Sequence, residues 1–334
     1  MAQGVSNPIS SMGVAGAGAW GIALANVAAN AGKRVILWGR DADMMRSLAE
    51  TRQSAHLPGA ALKNGIVVAA DIAALAQCEA ALVVVPAQAT RLVASQLARI
   101  LPNGAPLAAC AKGIELGSDL FMTEVLAQAA PGHPGAILSG PSFAGDVAAG
   151  LPTAVTLACA DEPCARALAL ALNSPNFRLY HSTDVRGVEI GGAAKNVLAI
   201  ACGVASGLGL GPSAGAALIA RGFAELSRFG AAFGARPQTL MGLSGLGDLV
   251  LTCTSPQSRN FAFGVALGRG KSAAEASAGK LAEGATTVRA LLEMARGRGV
   301  EMPIAASVEA VIKGEQDVRA AVGALLARPA RAEG

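Results

Sequence analysis

The sequence Gly-Ala-Gly-Ala-Trp-Gly at residues 16–21 constrains the fold more than any other stretch. An apolar run precedes it and an alanine-rich segment without glycine follows, so strand, Gly-x-Gly-x-x-Gly loop and helix open a dinucleotide-binding βαβ unit. Gly16 permits a tight turn, Gly18 lets the backbone approach a pyrophosphate, and Gly21 lets helix and strand pack closely. The helix N-terminus offers free N–H groups to the anion. With 41 glycines in the chain a plain turn is the alternative, but the flanking pattern favours the nucleotide loop.

Further apolar runs recur along the first half of the chain, with room for a helix between most of them. They occupy residues 34–38, 65–69, 81–85, 106–110, 136–138, 154–159 and 177–181. This alternation predicts a doubly wound, mainly parallel Rossmann-type α/β sheet. Strand signals end after Ser182, and helical segments follow. We predict a dinucleotide-binding domain at 1–183, an all-α substrate and catalytic domain at 184–328 with Asp184 as first N-cap, and a frayed tail at 329–334.

Composition argues against several other classes of protein. A net charge of +4 and 3% aromatic residues supply neither a basic stripe nor interleaved aromatic side chains, so a nucleic-acid partner is not expected. The six cysteines are scattered without a Cys-x-x-Cys pair, and the three histidines are dispersed. These spacings predict reduced thiols in a cytoplasmic protein and no metal site.

Two uncharged stretches resemble secretion or membrane signals. Residues 1–32 lack the basic n-region of a signal peptide, and loop glycines interrupt their apolar part. Residues 197–220 are long enough to span a bilayer, but glycines and Pro212 break them near the middle. We predict mature structure for the first stretch and two buried helices joined by a loop for the second, with no membrane span.

The end of the second predicted strand carries information about the nucleotide. NAD-preferring sites place an acidic residue there to hold the ribose 2′-hydroxyl, whereas this chain has Gly39-Arg40. An arginine can pair with a 2′-phosphate, so Arg40 favours NADPH over NADH as the cofactor. A solvated arginine at a strand end is the alternative.

Two later strand ends supply further candidates, because ligands of such sheets lie beyond the carboxyl ends of the strands. Lys112 follows the run 106–110 and is a candidate contact for an anion or a carbonyl group; a surface lysine is the alternative. The segment from Gly140 through Ser142 to Ala144 suits exposed N–H donors at a helix start. A helix cap without a ligand explains the same residues.

The second predicted domain opens with a helix that contains Gly191-Gly192 and, one turn later, Lys195. Glycine inside a helix costs about 1 kcal/mol relative to alanine, so the pair indicates close approach of a cofactor or of a strand. Poor solvation in such an apolar segment lowers the pKa of a lysine and suits Lys195 to general acid–base catalysis. A lysine that snorkels from a buried helix is the alternative.

Two more stretches of this domain carry polar groups in an apolar setting. A glycine-rich turn delivers Asp248, either as a helix cap or as a buried functional partner. Ser258, Arg259 and Asn260 stand at a helix start, where N–H donors, the helix dipole and a guanidinium predict a phosphate cradle. Leu281 and Glu283 open another helix.

Taken together, these segments closely resemble the bacterial NAD(P)-dependent glycerol-3-phosphate dehydrogenases, from the glycine loop to about residue 315. The motifs that carry the resemblance keep the family's order and spacing. They are the loop 16–21, the Lys112-Gly113 turn, Gly140-Pro141-Ser142-Phe143-Ala144, 191–196, Gly245-Leu246-Gly247-Asp248 and Ser258-Arg259-Asn260.

The resemblance implies reversible hydride transfer between NADPH or NADH and carbon 2 of dihydroxyacetone phosphate, which supplies sn-glycerol 3-phosphate for phospholipid synthesis. It implies Lys195 as proton donor and acceptor, with its pKa depressed further by Lys112 and Arg259. The implied substrate contacts are Lys112, Gly140, Ser142, Lys195, Asp248, Ser258, Arg259 and Asn260. The implied cofactor contacts are Gly16, Gly18, Trp20, Gly21, Arg40, Lys112, Ala144, Arg259, Leu281 and Glu283.

The chain departs from the family at two places. Ser213 and Gly215 stand where the family has an asparagine and a basic residue, which removes one polar contact, and Asp146 stands where glutamate is commoner. Two other functions remain open: a β-hydroxyacid dehydrogenase with a carboxylated substrate, and a cofactor-binding sensor without catalysis. The apolar helical domain suggests a homodimer.

Overall fold

The computed structural model describes residues 8–277 and 282–327. The chain divides into two compact units: one is Met1–Glu115 with Leu120–Glu189, and the other is Leu116–Asp119 with Ile190–Gly334. The division after Glu189 falls within a helix that starts at Val185. As predicted, Asp184 caps that helix, since its Oδ1 accepts a hydrogen bond from the Gly187 N–H at 3.0 Å. The predicted domain limits themselves stay a prediction.

The first unit contains one eight-stranded sheet. Its strands are β1 (Ser11–Ala15), β2 (Arg34–Trp38), β3 (Val67–Ala69), β4 (Ala80–Val83), β5 (Leu107–Ala109), β6 (Gly135–Ser139), β7 (Thr153–Cys159) and β8 (Phe177–Ser182). Their spatial order is β3-β2-β1-β4-β5-β6-β7-β8, and every neighbouring pair is parallel except the antiparallel β6 and β7. The predicted doubly wound, mainly parallel sheet is confirmed.

Helices connect these strands and cover both faces of the sheet. They are α1 (Ala19–Asn30), α2 (Ala42–Thr51), α3 (Thr90–Leu97), α4 (Met122–Ala129), α5 (Ala144–Ala148) and α6 (Glu162–Leu172), with 3₁₀ turns at Ile72–Gln77 and Ala87–Ala89. Successive strand residues alternate between two apolar clusters: Leu37 and Leu82 belong to one, Ile36 and Val83 to the other. Burial on both faces explains why the strands appear in the sequence as continuous apolar runs.

The secondary-structure elements of the second unit, within its described residues, are all helices. Helix α7 (Val185–Gly207) begins in the first unit and continues into the second. The other helices are α8 (Gly211–Ala232), α9 (Pro237–Met241), α10 (Asp248–Thr254), α11 (Arg259–Gly268), α12 (Ala273–Ser277), α13 (Glu283–Gly297), α14 (Pro303–Lys313) and α15 (Val318–Leu326), and a π-helical turn occupies Leu243–Gly247.

Helices α7 and α11 pack backbone against backbone through four glycines. A Cβ atom at Gly203 would overlap the Phe261 carbonyl oxygen and lie 3.0 Å from the Gly264 Cα. One turn later, a Cβ at Gly207 would lie 3.0 Å from the Gly268 Cα. The same overlap arises from the α11 side, so no side chain can be inserted at this crossing.

The two helices predicted for residues 197–220 are present as α7 and the start of α8, joined at residues 208–210. Helix α7 is long and apolar enough to cross a membrane by length and composition, but its apolar window is completely buried inside the protein. Burial of the second helix was predicted wrongly for its first turns, where Pro212, Ala216 and Ala217 are exposed. Small residues predominate on all sides there, so the sequence marks no buried face.

Candidate active site

The three glycines after β1 have different structural roles. Gly16 has a φ of +127°, and a Cβ there would overlap the Val84 carbonyl group. A Cβ at Gly21 would overlap the Gly16 carbonyl oxygen, so any side chain at this position would prevent the close packing of α1. A Cβ at Gly18, in contrast, would meet no atom within 4 Å, and no side chain caps α1 at this residue. The first and third glycines therefore make the turn, and the second leaves open space before the N–H groups of α1, where a dinucleotide pyrophosphate fits.

This difference predicts that Gly18→Ala leaves the fold intact and impairs nucleotide binding. Gly18 has φ −74° and ψ −179°, which any residue adopts, so we expect an unchanged thermal unfolding midpoint. The added methyl group occupies the space for the pyrophosphate, and the Kd for NADPH should rise on the order of tenfold or more. Gly21→Ala is the matched contrast, because its methyl group collides with backbone and should destabilise the protein. Equal NADPH affinity of Gly18→Ala and the parent chain would contradict this role.

The side chain of Arg40 is exposed directly after β2, and Gly39 before it packs closely on α2. Asp41 is occupied as the N-cap of α2, where its Oδ1 accepts from the N–H groups of Asp43 and Met44 at 3.1 and 3.0 Å. Arg40 therefore presents an exposed guanidinium at this strand end. Trp20 lies in the first turn of α1 and packs partly against the apolar core.

The structure brings Lys112, Gly140 and Ser142 together at the ends of β5 and β6. The Lys112 Nζ donates to the Gly140 carbonyl oxygen at 2.9 Å, and the Ser142 hydroxyl donates to the same oxygen at 3.0 Å. Gly140 has a φ of +149°, and a Cβ there would lie 2.8 Å from the Val155 Cα. Ala144 begins α5 two residues after Ser142. Lys112 is half-buried and hydrogen-bonded, so it is not a freely solvated surface lysine.

In the second unit, Lys195 forms a buried ion pair with Asp248. The Lys195 Nζ lies 2.5 Å from Asp248 Oδ1, and the two side chains are 6% and 1% exposed. The Nζ also donates to the Thr252 hydroxyl at 2.8 Å, and that hydroxyl donates to the Asp248 carbonyl oxygen at 2.6 Å. The ammonium group is therefore fixed by two groups on α10.

This geometry corrects one sequence-based expectation. Lys195 does not snorkel, because its side chain is almost completely buried. The sequence argument considered desolvation and neighbouring cations, and Asp248 adds a carboxylate in direct contact with the Lys195 Nζ. Sequence reasoning also missed Thr252; its spacing of four residues from Asp248 on one helix was the available signal.

Gly191, the first glycine of the pair in α7, packs closely against another part of the chain. A Cβ at Gly191 would overlap the Ser244 carbonyl oxygen and lie 2.9 Å from the Gly245 Cα. Gly245 in turn lies against the Leu240 backbone. The π-helical turn therefore packs directly on α7, and the next residue after it is Asp248, the first residue of α10. The predicted close approach is observed at Gly191, but the neighbouring segment there is a π-helical turn and not a strand.

The three residues at the start of α11 divide into two buried groups and one exposed group. Ser258 Oγ accepts from the Phe261 N–H at 3.2 Å and caps the helix. Asn260 donates from Nδ2 to Asn196 Oδ1 at 3.0 Å and accepts from the Gly284 N–H at 2.9 Å, so it links α7, α11 and α13. Arg259 is exposed between them. Glu283 begins α13, and Leu281 lies outside the described residues.

A doubly wound sheet with an open glycine loop, followed by helices that hold a buried lysine–carboxylate pair, defines a nicotinamide-nucleotide-dependent dehydrogenase. Comparison with known families identifies the particular dehydrogenase family. The profile of the NAD-dependent glycerol-3-phosphate dehydrogenase N-terminus matches residues 11–165, and that of the C-terminus matches residues 184–323. The chain belongs to this family. The predicted resemblance, the fold class and the assignment as an NAD(P)-dependent oxidoreductase are confirmed.

Individual relatives agree with the family assignment over nearly their whole length. Glycerol-3-phosphate dehydrogenase [NAD(P)+] of Azorhizobium caulinodans is 62% identical, with 96% of this chain and 98% of the relative covered. The enzyme of the same name from Rhodopseudomonas palustris is 58% identical, with 97% and 99% covered. The crystal structure of glycerol-3-phosphate dehydrogenase from Coxiella burnetii superimposes with a TM-score of 0.91 at 37% identity, covering 96% of this chain and 99% of that chain.

Among the described residues, no group of three or more His, Cys, Asp and Glu side chains is arranged to hold a metal ion. All six cysteines are free thiols, and five of them are buried. Burial raises the pKa of the Cys110 thiol to about 12. At neutral pH this thiol is therefore protonated and unreactive.

Proposed function

We propose that this chain reduces dihydroxyacetone phosphate to sn-glycerol 3-phosphate, reversibly, with NADPH or NADH, and supplies the product for glycerophospholipid synthesis in the cytoplasm. The observation that carries the proposal is the buried Lys195 ammonium, held by Asp248 and Thr252. Reduction of a ketone requires a proton at the oxygen, and this ammonium is a fixed proton source shielded from water.

The residues of the second unit perform the proton transfer. A nicotinamide cofactor, when bound, would supply the hydride for carbon 2 or accept it in the reverse direction. Lys195 Nζ donates a proton to the ketone oxygen during reduction and takes it back from the hydroxyl group during oxidation. Asp248 and Thr252 orient the Nζ, and Asp248 balances its positive charge.

The remaining site residues are proposed to bind the substrate and the cofactor. Phosphorylated substrate contacts come from Lys112, Gly140 and Ser142 in the first unit and from Asp248, Ser258, Arg259 and Asn260 in the second. The accessible guanidinium of Arg259 suits a phosphate at the start of the ten-residue helix α11. Ser258 and Asn260 hold the backbone of that helix start through their buried hydrogen bonds.

The proposed cofactor contacts begin at the glycine loop. Gly16, Gly18 and Gly21 shape the pyrophosphate site, and Arg40 stands where a 2′-phosphate would bind. The other proposed contacts are Trp20, Lys112, Ala144, Arg259, Leu281 and Glu283. The openness beside Gly18 supports a dinucleotide, and the exposed Arg40 supports NADPH.

Arg40→Asp is expected to shift the cofactor preference from NADPH towards NADH. The substitution replaces a partner for the 2′-phosphate with a carboxylate that can accept from a ribose hydroxyl. A charge-assisted hydrogen bond contributes about 1.5–3 kcal/mol, so the ratio of kcat/KM for NADPH over NADH should fall about 10–100-fold. Arg46→Asp on α2 is a control with an exposed arginine of the same unit. If both variants keep the parent ratio, Arg40 is a solvated surface residue.

A substrate panel tests the proposed reaction. We expect purified protein to oxidise NADPH with dihydroxyacetone phosphate and not with ketones that carry a carboxylate in place of the phosphate. Turnover confined to the carboxylated ketones would identify a β-hydroxyacid dehydrogenase instead. Tight NADPH binding without turnover on any ketone would identify a sensor and defeat the proposed catalysis.

The assembly of the protein and the roles of its two domains are further proposals. We propose a homodimer, and the exposed apolar first turns of α8 are a surface that a second copy could cover. Sedimentation equilibrium measures the mass of the particle in solution, and a mass of one chain would contradict the homodimer.

We also propose that residues 1–183 bind the nucleotide and residues 184–328 bind substrate. Ser213 and Gly215 lie on α8 and are proposed to leave the substrate site with one polar contact fewer.

A further inference from the structure

The first turn of α13 is capped by a side chain from another helix. Ala282, the N-cap residue of α13, supplies no side-chain hydrogen bond. The Gly284 N–H instead donates to Asn260 Oδ1 on α11 at 2.9 Å. The first N–H groups of a helix have no acceptor within that helix, so the Asn260 amide satisfies one of them from 24 residues away along the chain.

The orientation of the Asn260 amide is set by its two partners. Because the Gly284 N–H can only donate, the amide atom that faces it must be the oxygen. The nitrogen, Nδ2, donates to Asn196 Oδ1 on α7 at 3.0 Å. Asn260 and Asn196 are both buried, so water does not readily replace either hydrogen bond. One buried amide therefore joins α13 to both α11 and α7.

The backbone of α13 also lies directly against α7 at this point. A Cβ at Gly284 would lie 2.5 Å from the Asn196 carbonyl oxygen and 3.0 Å from Asn260 Oδ1. Glu283 comes immediately before Gly284, and Arg259 comes immediately before Asn260. The hydrogen bond between the two helix starts therefore fixes the backbone of Glu283 relative to that of Arg259.

We propose that Asn260 is a positioning residue for the cofactor: by capping α13 it holds the start of that helix, and with it Glu283, in the position from which Glu283 contacts the nicotinamide nucleotide. This inference rests on the proposed function, in which Glu283 and Arg259 contact the cofactor. It gives Asn260 a second role beside its proposed substrate contact, and this role does not require substrate.

The experiment measures the Kd for NADPH without substrate, from the fluorescence of the bound dinucleotide. Asn260→Ala is expected to raise this Kd about tenfold, about the contribution of one hydrogen bond, because the Gly284 N–H loses its acceptor and the first turn of α13 shifts. Asn26→Ala is the matched control. Asn26 is equally buried, two turns beyond the start of α1, and also makes two hydrogen bonds, from the Lys63 N–H and to the Ala61 carbonyl oxygen, both at 3.0 Å. Its Kd should stay within about threefold of the parent.

A second substitution separates capping from a general loss of packing. Ala282 has the extended backbone of an N-cap residue, with φ −99° and ψ 101°. Ala282→Ser places a hydroxyl there, which can accept from an N–H of the first turn. Asn260→Ala/Ala282→Ser should therefore bind NADPH with a Kd within about threefold of the parent. A Kd that stays as high as in Asn260→Ala would overturn the positioning role.

Glu283→Ala distinguishes failure of this inference from failure of the proposed function. If it raises the Kd for NADPH while Asn260→Ala does not, the cofactor contact stands and the positioning role is wrong. If Glu283→Ala leaves the Kd unchanged, the proposed contact itself is wrong, and the inference falls with it. Because binding is measured without turnover, failure to reduce dihydroxyacetone phosphate would count against the proposed reaction alone.

Discussion

Lys195→Met is expected to lower kcat by about 10²–10⁴-fold, the usual contribution of a general acid or base, while the Kd for NADPH changes little. The methionine matches the lysine stem in length but carries no proton. Single-turnover measurement of NADPH oxidation with dihydroxyacetone phosphate reports this step directly. Turnover of the variant close to that of the parent chain would remove Lys195 from the proton transfer.

The pairing with Asp248 requires a second variant for this experiment. Lys195→Met alone leaves a carboxylate that is 1% exposed without its cation, and such a loss destabilises proteins by about 3–5 kcal/mol. Lys195→Met/Asp248→Asn removes both charges, so most of the stability should return while turnover stays low. Recovery of turnover together with stability would indicate that the single variant failed through misfolding.

The second large effect concerns Glu189, whose carboxyl group joins α7 to the start of α4. Oε1 accepts from the Thr123 N–H at 2.7 Å and from its hydroxyl at 2.8 Å. Oε2 lies 3.6 Å from Arg186 Nη1 and, within the described residues, makes no hydrogen bond. Arg186 also interacts with two other side chains. Its Nη2 lies 2.6 Å from Glu124 Oε1, and its guanidinium stacks 4.1 Å from the Phe121 ring centre.

Burial raises the pKa of Glu189 from its ordinary value of 4.5 to about 7, against the lowering effects of Thr123 and Arg186. A folded-state pKa above the unfolded value means that the folded protein binds the proton more tightly. The stabilising contribution is therefore fully present below pH 4.5 and is lost as pH rises through about 7. Its full size is about 3 kcal/mol.

Glu189→Gln is expected to abolish this dependence, because the amide never ionises. Between pH 4.5 and 8, the free energy of unfolding of the parent should fall relative to that of the variant by about 3 kcal/mol, measured by urea titration at each pH. Glu293→Gln on α13 removes an exposed carboxylate and should show no such trend. A constant difference between the parent and Glu189→Gln across this range would contradict the raised pKa.

The sheet was predictable from the sequence because its strands are buried on both faces. Each predicted apolar run contains the corresponding strand or most of it, and the turn at Gly16 follows from local backbone requirements. The environment of Lys195 was not predictable in the same way, because its partner Thr252 is 57 residues away along the chain. Sequence identified Asp248 as a cap or a functional partner, and only the folded helices determine which group it faces.

The helix start at Ser258 shows a second limit of sequence reasoning. Three polar residues in a row predict a phosphate cradle, but the sequence does not show which of the three side chains are buried. Ser258 and Asn260 satisfy backbone and amide groups, and Arg259 remains accessible. Which polar residue of a run faces the solvent depends on the neighbouring helices α7 and α13, and those contacts are not local in sequence.

The glycine crossing of α7 and α11 limits how sequences of this kind can change over evolutionary time. Lys195 lies on α7, and Arg259 is the first residue of α11. At Gly203, Gly207, Gly264 and Gly268 the two helices are in contact through backbone atoms. Elsewhere in the core, a change in the volume of one side chain can be compensated by substitution of its neighbours. The spacing of these two helices has no such freedom, so sequences that diverge widely should keep the separation of the proposed proton donor Lys195 and the proposed anion-binding Arg259 unchanged.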